Sequence, residues 1–253
     1  MRHFPTIISH EIRALLYSAS TYIAAVLFLF VMAFLFTMLV EEYTKSAQEA
    51  PLAAVYFQYF LIPVFFMVPL LTMRSLAEER RLGTLETLLT TSVTTAEVVL
   101  GKFFASYLLY VLMWASTLGF HFILHYYAGD PRLLAPAPLI GGYLFIAVSG
   151  LLYIAVGIFA SSLTRSQSVA AIFTFVILLG LTIGLKFLST AQFLNQDALH
   201  SIKTAAESIQ VFQHLADFTN GIIDTRQIIY YVSGATLALI FSILGVEYKL
   251  LQG

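Results

Sequence analysis

The sequence predicts an all-α integral membrane protein with six transmembrane helices, and three observations carry that prediction. Hydrophobic residues make up 59% of the 253 positions and charged residues only 11%, against roughly 25% charged in soluble proteins. Mean hydropathy is correspondingly high, at +0.86. Most informative is the spacing of the charges. Six uncharged windows run from Arg13 to Glu41, Glu49 to Arg74, Lys102 to Asp130, Arg132 to Arg165, Arg165 to Lys186 and Arg226 to Glu247. Each reaches the ~20 residues a helix needs to cross about 30 Å of hydrocarbon. They place spans near residues 20–40, 56–73, 99–126, 139–161, 168–189 and 227–247 of a single membrane domain occupying 1–253.

Ahead of the first span, Phe4, Ile7, Ile8, Ile12, Leu15 and Leu16 recur at helical intervals among Arg2, His3, His10, Glu11 and Arg13. This pattern predicts an amphipathic helix over 1–19, lying in the membrane interface. The apolar core from Thr21 to Val40 is longer than the roughly 7–15 residues of a signal-peptide h-region, so the first span reads as a retained anchor. In the second span Pro63 and Pro69 each remove a backbone donor and are expected to bend the helix.

Residues 74–97 are dense in charge. Leu76, Leu82, Leu85, Leu88 and Leu89 fall at helical intervals, opposite a polar face of Glu78, Glu79, Arg80, Arg81 and Glu86, which predicts an amphipathic surface helix. Ser92 to Thr95 break that pattern, and Thr95 with Glu97 is expected to cap the start of the third span. His121 and His125 share one face of that span and are expected beside Tyr126 and Tyr127 at the outer interface rather than on a metal. Ser149-Gly150 and Ser233-Gly234 read as small residues packing helices together. Lys186 falls at the outer end of the fifth span, where its stem can snorkel. Within 190–226, Leu199, Ile202, Ala206, Ile209 and Phe212 predict an outer amphipathic helix, turned at Asn220 and Gly221 before the last span.

An even number of spans puts both termini and the second and fourth loops on one side. That side carries Arg2, Arg13, Arg74, Arg80, Arg81, Lys102, Arg165 and Lys249, against Lys45, Arg132, Lys186, Lys203 and Arg226 on the other. The excess of basic residues predicts that both termini are cytoplasmic.

Composition and motifs also exclude functions. A net charge of −1 provides no basic field for nucleic acid. With no cysteine there is no disulfide, thiolate metal site or thiol nucleophile. The chain has no GxxxxGK[ST] loop for nucleotide phosphates and no GxSxG elbow, and Ala14 stands where an HExxH helix beginning at His10-Glu11 would need its second histidine. No catalytic, cofactor-binding or metal-ligating set is expected in the chain itself.

The surface segment carries a more specific signal. Arg74, Glu78-Glu79-Arg80, Gly83-Thr84-Leu85-Glu86, Leu88-Leu89 and Glu97-Val98-Val99-Leu100-Gly101-Lys102 resemble the signature of ATP-binding-cassette type 2 transporter permeases. The N-terminal interfacial helix and the six spans fit that resemblance. The run from Pro69 to Phe103, Gly157 to Thr164 and Gly221-Ile222-Ile223-Asp224 resemble more narrowly the gliding-motility-associated branch, with the nitrous-oxide-reductase accessory permeases as a second neighbour. Ser92 departs from the proline that many members carry at this position.

The resemblance implies a permease subunit, with no ATPase site of its own, in the bacterial cytoplasmic (inner) membrane. It also implies a second permease copy or homologue and cytoplasmic P-loop ATPase subunits that bind ATP and Mg. The loop between the second and third spans would act as a coupling helix, with Arg74, Glu78, Glu79, Arg80, Gly83, Thr84 and Glu86 at the ATPase interface. Glu97, Gly101 and Lys102 would lead the chain back into the third span. The expected activity is ATP-driven export. The alternative is a non-transporting scaffold that relays ATPase-driven motion to a periplasmic protein through 190–226.

Overall fold

A computed structural model of the chain describes residues 4–45, 50–84, 93–128, 135–190 and 209–250, and all the regular structure in them is helical. Six helical stretches are long and apolar enough to span a membrane: Ala19–Lys45, Leu61–Leu82, Thr95–Tyr127, Pro136–Leu163, Gln167–Phe187 and Thr225–Tyr248. The architecture is the all-α six-span bundle that the sequence predicts. Burial orders the spans from core to rim. In Pro136–Leu163 the most apolar window is 72% buried, against 22% in the first and fifth spans, so the fourth span is the hub.

Helix α1 (Phe4–Leu16) is amphipathic and buries none of its residues completely, as expected of an interfacial helix. After a turn at Tyr17–Ser18 the chain enters α2 (Ala19–Lys45), the first span. Its inner stripe of Ala24, Phe28, Met32, Phe36 and Leu39 faces the bundle, while Tyr22, Ile23, Val26, Phe30 and Phe34 remain exposed. That division suits a helix with protein on one side and lipid on the other.

The second span is not one straight rod from 56 to 73. Helix α3 (Leu52–Gln58) stops at Tyr59 and α4 (Leu61–Thr72) begins after it. Pro63 explains the interruption. It has no N–H to bond the carbonyl of Tyr59, and its ring would clash there, whereas in the first turn of α4 its missing donor costs nothing. Pro69 lies inside α4, which continues past it to Thr72. Helix α5 (Ala77–Leu82) follows after a four-residue turn.

The third span is α6 (Thr95–Ser116) and α7 (Leu118–Ala128), interrupted at Thr117. Its cap lies one residue earlier than expected. Thr94 is the N-cap: the Glu97 N–H donates to Thr94 Oγ1 at 3.3 Å, and the Thr94 N–H donates to Glu97 Oε2 at 3.2 Å. A capping box requires threonine and glutamate three positions apart, and Thr95 cannot satisfy that spacing.

The fourth span is α8 (Pro136–Leu163) and the fifth begins as α9 (Gln167–Leu179). The fifth span widens into a π-helical turn over Gly180–Gly184 and closes as α10 (Leu185–Thr190). Residues 191–208, with Leu199, Ile202 and Ala206 of the expected outer helix, lie outside the described residues. The described part, α11 (Val211–Thr219), is amphipathic and buries Val211, His214, Leu215 and Phe218. It ends at Asn220 and Gly221, where a turn is predicted, and α12 (Thr225–Leu250) is the last span.

His121 differs from expectation. Only 2% exposed, it stands among Phe36, Tyr56, Phe57 and Tyr143, whose ring centroids lie 4.9–6.3 Å away. The break at Thr117 turns α7 so that this ring enters the aromatic core instead of the interface. His125, Tyr126 and Tyr127 are exposed. Lys186 does not simply snorkel: its Nζ sits 4.4 Å from the centre of the Phe212 ring and ties the fifth span to α11.

Candidate functional site

The described residues of the sequence signature gather at the end of the bundle where α1 lies. Helix α5 is fixed there by three anchors drawn from distant parts of the chain.

The first anchor lies at its N-terminus. Ser161, fully buried near the end of α8, accepts the N–H groups of Leu76 and Ala77, both at 3.0 Å, and donates its own hydrogen to the Met73 carbonyl at 3.3 Å. The first N–H groups of a helix have no partner within it, and a buried hydroxyl from the fourth span supplies one. The second anchor is Arg80, which donates from Nη1 to the Ser162 carbonyl. That carbonyl belongs to the last turn of α8, where a cation complements the unsatisfied end of the helix.

The third anchor is an ion triad. Lys102 Nζ lies 2.6 Å from Glu79 Oε1 and 2.8 Å from Glu11 Oε1. The lysine side chain is 4% exposed and its partners 25% and 15%. Lys102 falls seven residues into the third span, where an unpaired charge would be costly; the two carboxylates supply its counter-charge. One cation therefore joins α1, α5 and the third span. Gly101 makes this approach possible: a Cβ there would come within 2.6 Å of Ile7 Cγ2 on α1.

Other signature residues complete the picture. Arg74 donates from Nη1 to Ser18 Oγ at 3.0 Å and lies 4.0 Å from Glu78, which also approaches Arg81 at 3.8 Å. Gly83 ends α5 with φ +71°, a left-handed conformation that favours glycine, and its N–H closes the helix on the Glu79 carbonyl. The amphipathic helix expected to run from Leu76 to Leu89 is thus interrupted at Gly83. Leu76 is fully buried, as the anchoring role requires, but Leu82 is 61% exposed. Arg81, Leu82, Gly83 and Thr84 form the exposed tip. Glu86, Leu85, Leu88 and Leu89 lie outside the described residues. Glu97 closes the capping box with Thr94.

Sequence reasoning missed Glu11, Ser18, Ser161 and Ser162 as parts of this site. Lys102 carried a usable signal, since a lysine inside an apolar span demands a counter-charge. Nothing local indicated which carboxylates would provide it. Among the described residues no group of three or more His, Asp or Glu is placed to hold a metal.

No curated protein is similar enough to the chain to count as a match. Residues 40–247, spanning four of the six membrane helices in full, all but the last residue of the sixth and the whole anchored segment, match the family described as ABC-2 family transporter protein. The chain therefore belongs to the ABC-2 transporter family, as a multi-pass permease subunit whose family works with a separate cytoplasmic ATPase.

Proposed function

We propose that this permease turns ATP hydrolysis by two cytoplasmic P-loop ATPase subunits into export across the bacterial inner membrane. The ATPase subunits hold the ATP and Mg, and the permease works beside a second copy or a homologue. Both termini and the tip of α5 face the cytoplasm, in keeping with the excess of basic residues on that side.

The observation that carries this reading is the contrast between the two ends of α5. Its base is tied to the fourth span through Ser161 and Arg80 and to the third through Lys102, while Arg81 to Thr84 project outward. Force applied to the tip reaches the third and fourth spans through short, largely buried contacts rather than through a slack loop. A partner that closes on ATP would shift these spans as rigid bodies. Gliding-type and nitrous-oxide-reductase accessory permeases both have sequences that fit this signature, and neither pathway is needed for the mechanism.

The test is affinity purification of the wild type and of an Arg81→Glu/Leu82→Asp variant in mild detergent, with bound proteins identified and ATPase activity measured. A P-loop ATPase that accompanies the wild type and is lost from the variant is the expected result. Undiminished capture and hydrolysis with the variant would refute a docking role for the tip. Crosslinks from Ile209 or Phe212 to a periplasmic protein, with no cargo moved, would favour the scaffold instead.

A further inference from the structure

We propose that the cavity between α1 and the base of α5 binds the zwitterionic headgroup of an amine-bearing phospholipid, phosphatidylethanolamine. The cavity holds about 340 Å³ and is walled by α1, the turn between α4 and α5, and α6. That is room for several water molecules, or for one small headgroup.

Its polar lining is incomplete in a specific way. Among the described residues Lys102 is the cation within ion-pair distance of both Glu11 and Glu79, with His10 on the same cavity wall, so the Lys-Glu triad itself has one more negative than positive charge. Such an excess is costly in a buried setting unless a further cation joins it. Glu79 Oε2 is shielded from solvent and has no hydrogen-bond partner among the described residues. An ionised carboxylate oxygen can only accept, so this atom calls for a donor. Ser106, 0% exposed and one turn beyond Lys102, lines the same cavity with its hydroxyl also unpartnered. Across the cavity Arg74 Nε has no hydrogen-bond partner, and its 4.0 Å approach to Glu78 is too long to be one. A guanidinium N–H can only donate, so this atom calls for an acceptor.

The complement of these groups is a molecule with N–H donors on a positive centre and oxygens on a negative one. Phosphoethanolamine has both: its ammonium suits Glu79 and Ser106, and its phosphate suits Arg74. The position of the cavity favours a lipid as the source. It lies beneath the interfacial helix, with Ala14, Leu15 and the 88%-exposed Tyr17 along its rim, where headgroups meet acyl chains.

The test compares retention of phosphatidylethanolamine, phosphatidylcholine and phosphatidylglycerol of matched chains by the purified full-length protein, read by native mass spectrometry. Phosphatidylcholine keeps the charges but has no N–H to donate, so it isolates the contact to Glu79. Retention of phosphatidylethanolamine about tenfold above both others is expected, the scale of a charge-assisted hydrogen bond. Glu79→Gln or Ser106→Ala should bring that ratio towards one. Equal retention of the three lipids by the wild type would overturn the proposal, and this comparison needs no variant to fold. A preference unchanged in both variants would overturn the site. Tight binding of soluble glycerophosphoethanolamine without any lipid preference would overturn the lipid as its source.

Discussion

Replacing Lys102 with Met keeps the side chain long and apolar but removes the cation between Glu11 and Glu79. Both carboxylate oxygens touch the same nitrogen, at 2.8 and 2.6 Å, so they lie no more than about 5.4 Å apart. With an effective dielectric of about 20, two like charges at that distance repel by about 3 kcal/mol. The figure agrees with the ~3–5 kcal/mol lost when one partner of a buried pair is removed. At roughly 2–4 °C per kcal/mol for a chain of this size, Lys102→Met should melt about 6–20 °C below the wild type. Thermal unfolding in lipid nanodiscs at pH 7, followed through the fluorescence of the buried Trp114, measures the shift. Adding Glu11→Gln and Glu79→Gln removes all three charges and should recover most of the loss, because an uncharged buried trio avoids the desolvation penalty. A single variant that melts within about 2 °C of the wild type would refute the reasoning. So would a triple variant no more stable than the single one.

Three further outcomes follow from the same end of the bundle. Ser161→Ala leaves the N–H groups of Leu76 and Ala77 without their acceptor, at about 1–3 kcal/mol for an unsatisfied buried donor. Hydrogen exchange should quicken at 76–77 and stay unchanged in the middle of α8. Thr94→Ala removes the capping box and should cost about 1 kcal/mol, whereas Thr94→Ser should keep most of it; thermal melts distinguish the two. Gly101→Val drives methyl groups into Ile7 and should lift α1 from α6, so limited trypsin digestion at the exposed Arg13 should become several-fold faster.

The spans were legible because hydropathy is additive along the chain: a run without charge between Arg132 and Arg165 cannot be anything but buried or in lipid. The signature residues were legible as a group, but not the direction each side chain faces. Glu78, Glu79, Arg80 and Arg81 are adjacent in sequence, yet one step along a helix turns a side chain by about 100°. Glu79 and Arg80 consequently point into the bundle while Arg81 points out. Pairing between Glu11 and Lys102, 91 residues apart, depends on how α1 docks, and no local pattern encodes that. Two of the interruptions carry local markers. Gly83 directly after the last helical residue is a stop signal, and Thr94 three before Glu97 is a start signal. The break at Thr117 had no such marker. There the Thr117 hydroxyl bonds back to the Trp114 carbonyl and meets the Tyr143 hydroxyl of the fourth span, both at 2.7 Å, a contact that exists only in the assembled bundle.

The π-helical turn in the fifth span acts as an inserted notch in a screw thread. It accommodates one residue beyond the α-helical count, so everything after Gly184 is advanced by about 100° around the axis. That advance aims Lys186 at Phe212 on α11 instead of at the acyl chains. If the notch were absorbed into a regular helix, the outer third of the span would swivel and break this contact without a single backbone hydrogen bond being left open in the membrane. Thr182, bonded back to the Leu178 carbonyl at 2.7 Å, sits where such a change of thread would begin.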